Sequence, residues 1–537
     1  MHQHDPGLHL LSSFLRGRID RRGMLKRAAA LGFSASALSA LASIGDDASA
    51  QDGAPSGELI WGLSSVVPNI IPFGGIALAQ WQGKEFMYDS LLAWDADLNI
   101  IPALAESYEL PDDMTYKFKL REDVVFHDGR PMTSADVVYS FETAMNPPEP
   151  GVKVPYLDNV ASVVADDDFN VTVTMTKADP TLIGTLAWTH YTPIVPAGMM
   201  DEIEVLSNGI GTGPFRLTEF LPDDSITYEA FPEFWGEDGP GVQTLVIKML
   251  PDEQQRLAAL RSDEIHGGAF NADTVAAVEG DDAFEIQGGL TSAPCVIQLS
   301  TVDDVPWRDA RVRQAVSLVI DRQLIIDNVF AGRAQVTGAI PPGFGPWPLP
   351  EEEVWAAYPV DVERAKGLME EAGFADGFDV ELQAIASSHH TAIAQIVQEA
   401  VRQLNINAEV VPLEIGTFAA NIGSGEFQWA ATARGMRGDP SAHVVDFRQG
   451  TSNNVTWFGD GWNNEEINAL FDEGLATTDQ ERRLEVFNEI QRILLAELPN
   501  IYTVVPEKFQ IVSTRLSGMY VFYGNTNPGL RSATVSE

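Results

Sequence analysis

Between residues 378 and 414 three segments follow one another in an order that few folds accept. "FDVELQAIA" reads as a strand, "TAIAQIVQEAVRQLNI" as an amphipathic helix and "AEVVPLE" as a second strand. That β-α-β order predicts an α/β lobe with a largely parallel sheet in the later half of the chain. Helical stripes flank it. "DARVRQAVSLVIDRQLIIDNVFAG" sets Val312, Ala315, Val316, Val319 and Leu324 on one face and stops at Gly332. "DVERAKGLMEEAG" offers Asp361 as a cap, Ala365, Leu368, Met369 and Ala372 as the buried stripe and Gly373 as the stop. The last helix, "TDQERRLEVFNEIQRILLAELP", is amphipathic through Leu484, Phe487, Ile490, Ile493 and Leu494.

The earlier half reads differently. "MTYKFKL" sets Tyr116, Phe118 and Leu120 on one strand face against Lys117 and Lys119, and "NVTVTMT" repeats that period of two, so both belong to a small sheet. Between them "VVFHDGRPMTSADVVYSF" puts His127 beside Asp128, which raises the question of catalysis. The architectural reading is favoured: Asp128-Gly129 forms a turn and Thr133 caps a helix with Asp136 in the capping-box place. Val137, Val138, Phe141 and Met145 then pack inward.

Residues 1–50 have a basic start, a weakly apolar middle and a small-residue end, which is the plan of a signal peptide. Arg21-Arg22 followed by Met24, Leu25 and Lys26 resembles a twin-arginine export motif, and Ala48-Ser49-Ala50 supplies a cleavage site before Gln51. The apolar stretch is too short and too diluted by serine and glycine to anchor the chain in a membrane. Cys295 is the one cysteine, so no internal disulfide is available and packing alone must hold the lobes. Removing the leader takes six of 34 basic and four of 77 acidic residues, leaving 28 − 73 = −45. Such a charge repels nucleic acid and anionic lipid. A solvated acidic surface is the plainer reading of it, and a cationic ligand the sharper one.

No G-x-S-x-G elbow, no cysteine beside a histidine and no H-E-x-x-H occurs, so neither hydrolase nor zinc-protease chemistry is indicated. His389-His390 is a close pair, but neighbouring helix positions point differently; a solvated loop start is the bland reading, and contact with a ligand, nickel or haem the alternative. A binding pocket is better sought in "ATARGMRGDPSAHV", residues 430–443, where a strand ends in a Gly-Asp-Pro turn. Arg434 and Arg437 suit a carboxylate, and Asp439 suits an ammonium or, more simply, the cap of the next helix. Gly211 and Gly213 of "IGTGPF" fit a chain changing direction, since no Lys-Ser/Thr follows as a phosphate loop requires.

Taken in order, "YDSLLAWDADLNIIPALAESYEL", "TYKFKLREDVVFHDGRPMTSADVVYSF", "IGTGPFRLTEFLPDDSITYEAFPEFWG", "DARVRQAVSLVIDRQLIIDNVFAG" and "GEFQWAATARGMRGDP" resemble the peptide/nickel/opine-type solute-binding proteins of ABC importers. The resemblance implies an α/β, type II periplasmic-binding-protein fold of two lobes with an inserted α+β domain. Carried over, lobe I takes 51–95, 209–302 and 496–537, the insert 96–208 and lobe II 303–495. It also implies a peptide, opine or modified amino-acid ligand, an inner-membrane ABC permease as partner, no enzyme activity and no cofactor; the protein is expected to be monomeric. A metal-chelate receptor using His389, His390 or His443 is the runner-up. Peptide-binding relatives hold the ligand's amino group on an aspartate four residues before the turn proline, and that position is Met436 here. Trp457, in a Gly/Asn-rich segment, is expected as an exposed ligand contact, and Trp61, Trp188 and His190 are further candidates. Arg434→Ala and Trp457→Ala are accordingly expected to weaken binding without changing the melting temperature.

Overall fold

The computed structural model describes residues 55–73, 78–96, 98–148, 157–201, 209–237, 239–386, 388–434, 439–477, 479–522, 524 and 526–536. The leader with Arg21-Arg22, and Met436 and Arg437, lie outside the described residues. Among the described residues no helix is long and apolar enough to cross a membrane.

Two mixed sheets dominate. The first runs in the order Phe284–Leu290, Val504–Ser513, Gly267–Phe270, Glu58–Leu63, Thr244–Met249, Ser225–Ala230, Phe215–Leu221. The second runs Asn407–Leu413, Asp379–Ile385, Trp429–Ala433, Cys295–Leu299, Asn500–Tyr502. Its first three strands are mutually parallel, as the β-α-β order requires, but the last two pair antiparallel. "Largely parallel" therefore holds for three strands of five. The antiparallel pair comes from the places where the chain passes between sheets, and both of these strands, Cys295–Leu299 and Asn500–Tyr502, fall in segments that the expected division gives to lobe I. The second sheet is buried on both faces: Ile297, Leu382 and Trp429 meet one apolar cluster, Val296, Ala430 and Tyr502 the other. Continuous burial along Cys295–Leu299 follows from that sandwiching.

The chain passes between the sheets from Leu290 to Cys295 and from Tyr502 to Val504, and strand Ala334–Val336 also reaches the first sheet, pairing antiparallel with Val504–Pro506. Thr503 stitches the crossings together, its N and Oγ1 donating to the Cys295 carbonyl at 3.0 and 2.9 Å.

A four-stranded antiparallel sheet, Ala105–Asp112, Thr115–Leu120, Asn170–Met175, Val160–Asp167, forms a third unit. Tyr116, Phe118 and Leu120 are buried and Lys117 and Lys119 exposed, as their alternation predicts. Helix Ser134–Met145 starts at the expected capping box, with Thr133 N donating to Asp136 Oδ2 at 2.8 Å, and buries Val137 and Phe141. His127 is a joint. Its Nδ1 accepts from Gly211 N at 3.3 Å, which leaves Nε2 to donate to the Gly213 carbonyl at 2.9 Å. Gly211 and Gly213 are required there, because a Cβ on either would collide with the carbonyls of Met87 and Phe86. Burial pushes the His127 pKa down to about 4. Protonation thus opposes folding: the contribution is complete above the usual value of 6.5 and is lost as pH falls towards 4. His127→Gln, whose amide carries an acceptor and a donor but not at the positions of the two ring nitrogens, is expected to cost about 1–3 kcal/mol in chemical denaturation and to leave ligand affinity unchanged.

The expected single helix over 309–332 is two, Ala310–Val319 and Arg322–Phe330. Asp321 starts the second by accepting from Leu324 N at 3.1 Å, and the break shifts the helical phase so that Leu324 is 44% exposed instead of buried.

Candidate functional site

Strand Trp429–Ala433 delivers Arg434 to the end of the second sheet. Its guanidinium pairs with the buried Asp446 carboxylate, approaches Gln298 Oε1 at 3.4 Å and lies 4.8 Å from the Trp457 ring centre. Trp457 is not the exposed loop residue expected. It ends helix Ser452–Trp457, is 4% exposed and donates Nε1 to the Ile422 carbonyl at 2.8 Å. The helix turns the indole into the lobe's apolar cluster, where Phe447, Phe458 and Phe471 lie.

Asp439 caps helix Pro440–Val444 through Ser441 N at 2.9 Å. Both its oxygens also accept from Arg483 Nη2, at 2.9 and 2.8 Å. Arg483 is 2% exposed, donates Nε to the Gly474 carbonyl at 3.0 Å and sits against the rings of Trp347 and Phe487. The Asp439 charge is therefore compensated within the protein.

Trp188 and His190 meet on the other side. The His190 ring stacks on Trp81, centres 3.7 Å apart and 13° from parallel, and Trp188 lies 4.7 Å from His190 and 5.8 Å from Phe522. Burial, and then the nearby Lys84 ammonium, hold the His190 pKa well below the usual imidazole value, so this ring is neutral. Trp61 is elsewhere: it is 1% exposed in strand Glu58–Leu63 and packs so closely that a Cβ on Gly267 would strike its ring.

His389 and His390 are not on a solvated loop. They lie in helix Ser388–Val401, His390 is 6% exposed, and burial lowers both pKa values, that of His390 to about 3. His443 is in the separate helix Pro440–Val444, 5.1 Å from the Phe344 ring. Among the described residues no group of three or more His, Cys, Asp or Glu side chains is placed to hold a metal ion.

A cavity of about 180 Å3 lies between the inserted unit and the second sheet's helices, with Asn159, Asp179 and Thr181 on one wall and Asp439, Ser441 and Ala442 on the other. Tyr191 connects it to the aromatic group, its ring 4.2 Å from His190. A larger groove, about 410 Å3, lies on helices Ala310–Val319, Glu351–Ala357, Val362–Glu371 and Gln480–Glu497. Its Arg492 is already paired with Glu353 at 2.7 Å. Sequence reasoning missed Asp179, Arg483, Asp446 and Trp81. For Asp179 a signal existed, the Asp-Pro-Thr opening of helix Thr181–Leu186; for Arg483 there was none, because an arginine beside Glu481 and Arg482 reads as solvated.

Comparisons with known proteins bear on the family and the fold. Residues 99–454 match the family model described as bacterial extracellular solute-binding proteins, family 5 Middle. "Heme-binding protein A" of Haemophilus influenzae is 28% identical over 460 residues, 78% of this chain and 81% of that protein. "Dipeptide-binding protein" of Escherichia coli K12 is 26% identical over 461 residues, 79% and 84% of the two chains. Among solved structures, the binding protein AgaA of A. tumefaciens R10 in complex with agropinic acid superposes with a TM-score of 0.76 at 24% identity, over 90% of this chain and 99% of that one. The fold is thus the two-lobed type II periplasmic binding-protein fold. Since the family model spans more than half of the sequence, this chain belongs to the family 5 bacterial extracellular solute-binding proteins.

Proposed function

We propose that this protein is the periplasmic receptor of an ABC importer, closing two lobes on a small organic solute of peptide, opine or modified amino-acid type. It works as a monomer, makes and breaks no bond, and passes the solute to an inner-membrane permease. The observation that carries the reading is mechanical. Two adjacent crossings tied at Thr503 and Cys295, beside the short pairing of Ala334–Val336 with Val504–Pro506, connect the two sheets; a hinge at that joint would let a ligand touching both walls favour the closed form by its extra contacts there. The Arg21-Arg22 leader supports export by the twin-arginine route, and a division into lobe I, insert and lobe II is part of the reading, with the lobe boundaries at the crossings near 290–295 and 502–504.

Arg434 belongs on the second-lobe wall of this cleft, with Trp457 behind its guanidinium and Asp439 as the frame of the turn, and the sequence adds Arg437 and Met436 as ligand contacts; Trp188 and His190 belong on the facing wall, while the burial of Trp61 suits packing. With Met436 in place of an aspartate, a ligand anchored by its amino terminus at that position is disfavoured. A haem or nickel-chelate cargo has the name of one relative behind it, but His389 and the buried His390 lie in one helix and the buried His443 in another. Mass spectrometry of protein purified under native conditions tests the reading. One co-purifying small molecule, bound once per chain and returned unchanged, is expected; steady turnover of peptides or esters by the ligand-free protein would sink it.

A further inference from the structure

Asp179 is a carboxylate held ready for a cation. It is 6% exposed, on the wall of the cavity between the inserted unit and the second lobe, and among the described residues it has no ion-pair partner. Its position is tightly determined. Oδ1 accepts from Thr181 N at 3.1 Å and Thr181 Oγ1 at 2.6 Å, Oδ2 accepts from Asn159 Nδ2 at 2.6 Å, and Tyr116 OH donates to its main-chain carbonyl at 2.9 Å. Those three donors to the carboxylate are all neutral. A carboxylate has roughly four acceptor positions, so one remains for a further N–H.

The charge balance of the cavity points the same way. Asp439 on the opposite wall is cancelled by Arg483, which spends Nη2 on both Asp439 oxygens, so the lining keeps one net negative charge, that of Asp179. A buried charge without a counter-charge is costly unless something supplies one. Around the Ser441 side of the cavity the surface is apolar, with Ala442, Val445, Phe471 and Leu475. A carboxylate at one end and a hydrocarbon wall at the other fit a primary ammonium or guanidinium carried on a short aliphatic chain. At about 180 Å3 the space suits one such side group and not a whole drug-sized ligand. The formal net charge of −43 draws cations towards the protein from a distance.

We propose that this cavity takes the aliphatic ammonium or guanidinium group of the transported solute, with Asp179 as its counter-charge; this rests on the importer reading above.

Calorimetric titration of the ligand-free mature protein with cadaverine and with n-pentanol tests it, since the two probes differ in charge and share a five-carbon chain. Cadaverine is expected to bind at least tenfold more tightly than pentanol, and Asp179→Asn to remove that preference. Ala442→Leu, which fills the cavity and leaves the Asp179 hydrogen bonds intact, is expected to exclude cadaverine too, and keeps the test readable should Asp179→Asn fail to fold. Equal binding of the two probes, or undiminished cadaverine affinity in Ala442→Leu, overturns the proposal. The two readings fail separately. A native solute that binds wild type and both variants alike removes the cation pocket and leaves the importer standing; cadaverine held through Asp179 by a protein that turns over peptides does the reverse.

Discussion

Arg483→Met lowers the stability of the folded protein by about 3–5 kcal/mol, the usual cost of leaving one partner of a buried ion pair behind. Methionine keeps much of the volume between Trp347 and Phe487, so packing is largely spared and the loss falls on Asp439. That carboxylate is 8% exposed and would be left with the Ser441 amide as its hydrogen-bond donor. The double variant Asp439→Asn/Arg483→Met regains most of the loss, because asparagine still caps helix Pro440–Val444 and no charge stays buried. Urea unfolding of the single and double variants measures both effects. A single variant as stable as wild type would show that water, not Arg483, balances Asp439.

Trp457→Ala is the second large effect, about 3–5 kcal/mol for emptying the site of a buried indole. Three features set that scale: 4% exposure, the Nε1 bond to Ile422 and the Arg434 guanidinium over the ring. Trp457→Phe keeps the ring face and should recover more than half. Arg434→Ala likewise strands Asp446, which is 2% exposed. Both substitutions are thus expected to lower the melting temperature, where the sequence alone led to the expectation that it would stay unchanged. Thermal melts decide it: a shift of less than about 1 °C in Trp457→Ala would return the indole to the surface.

Local order was legible wherever one strand or helix faces one core. The alternation of Tyr116, Phe118 and Leu120, the capping box at Thr133 and the Asp361 cap are each set by neighbours in sequence, and each is where the pattern put it. Failures came where distant segments meet. Ile320-Asp321 interrupts an apolar stripe with a residue that caps, and periodicity alone does not weigh a cap against continuation. The direction of Cys295–Leu299 is not encoded in five consecutive buried residues, since a strand covered on both faces loses its alternation. At the candidate site the sequence named Arg434 and Asp439, but the partners that neutralise them, Asp446 and Arg483, lie 12 and 44 residues away in the chain (446 − 434 and 483 − 439). Asp179 was overlooked for the same reason: its meaning depends on a wall contributed by another lobe.

Strand Val504–Ser513 sits in the interior of the first sheet, between Phe284–Leu290 and Gly267–Phe270. A ribosome makes that sheet's first strand, Glu58–Leu63, near the beginning and the interior strand near the end. The first lobe therefore stays split through most of synthesis, while the inserted unit and the parallel strands of the second lobe have their partners much sooner. Late closure of this kind leaves sheet edges open for long periods and slows folding. A cell that folds such a chain before moving it, with chaperones at hand, avoids exposing the half-built sheet on the far side of the membrane; a nascent chain stalled before residue 504 should show a protease-resistant second lobe and a digestible first.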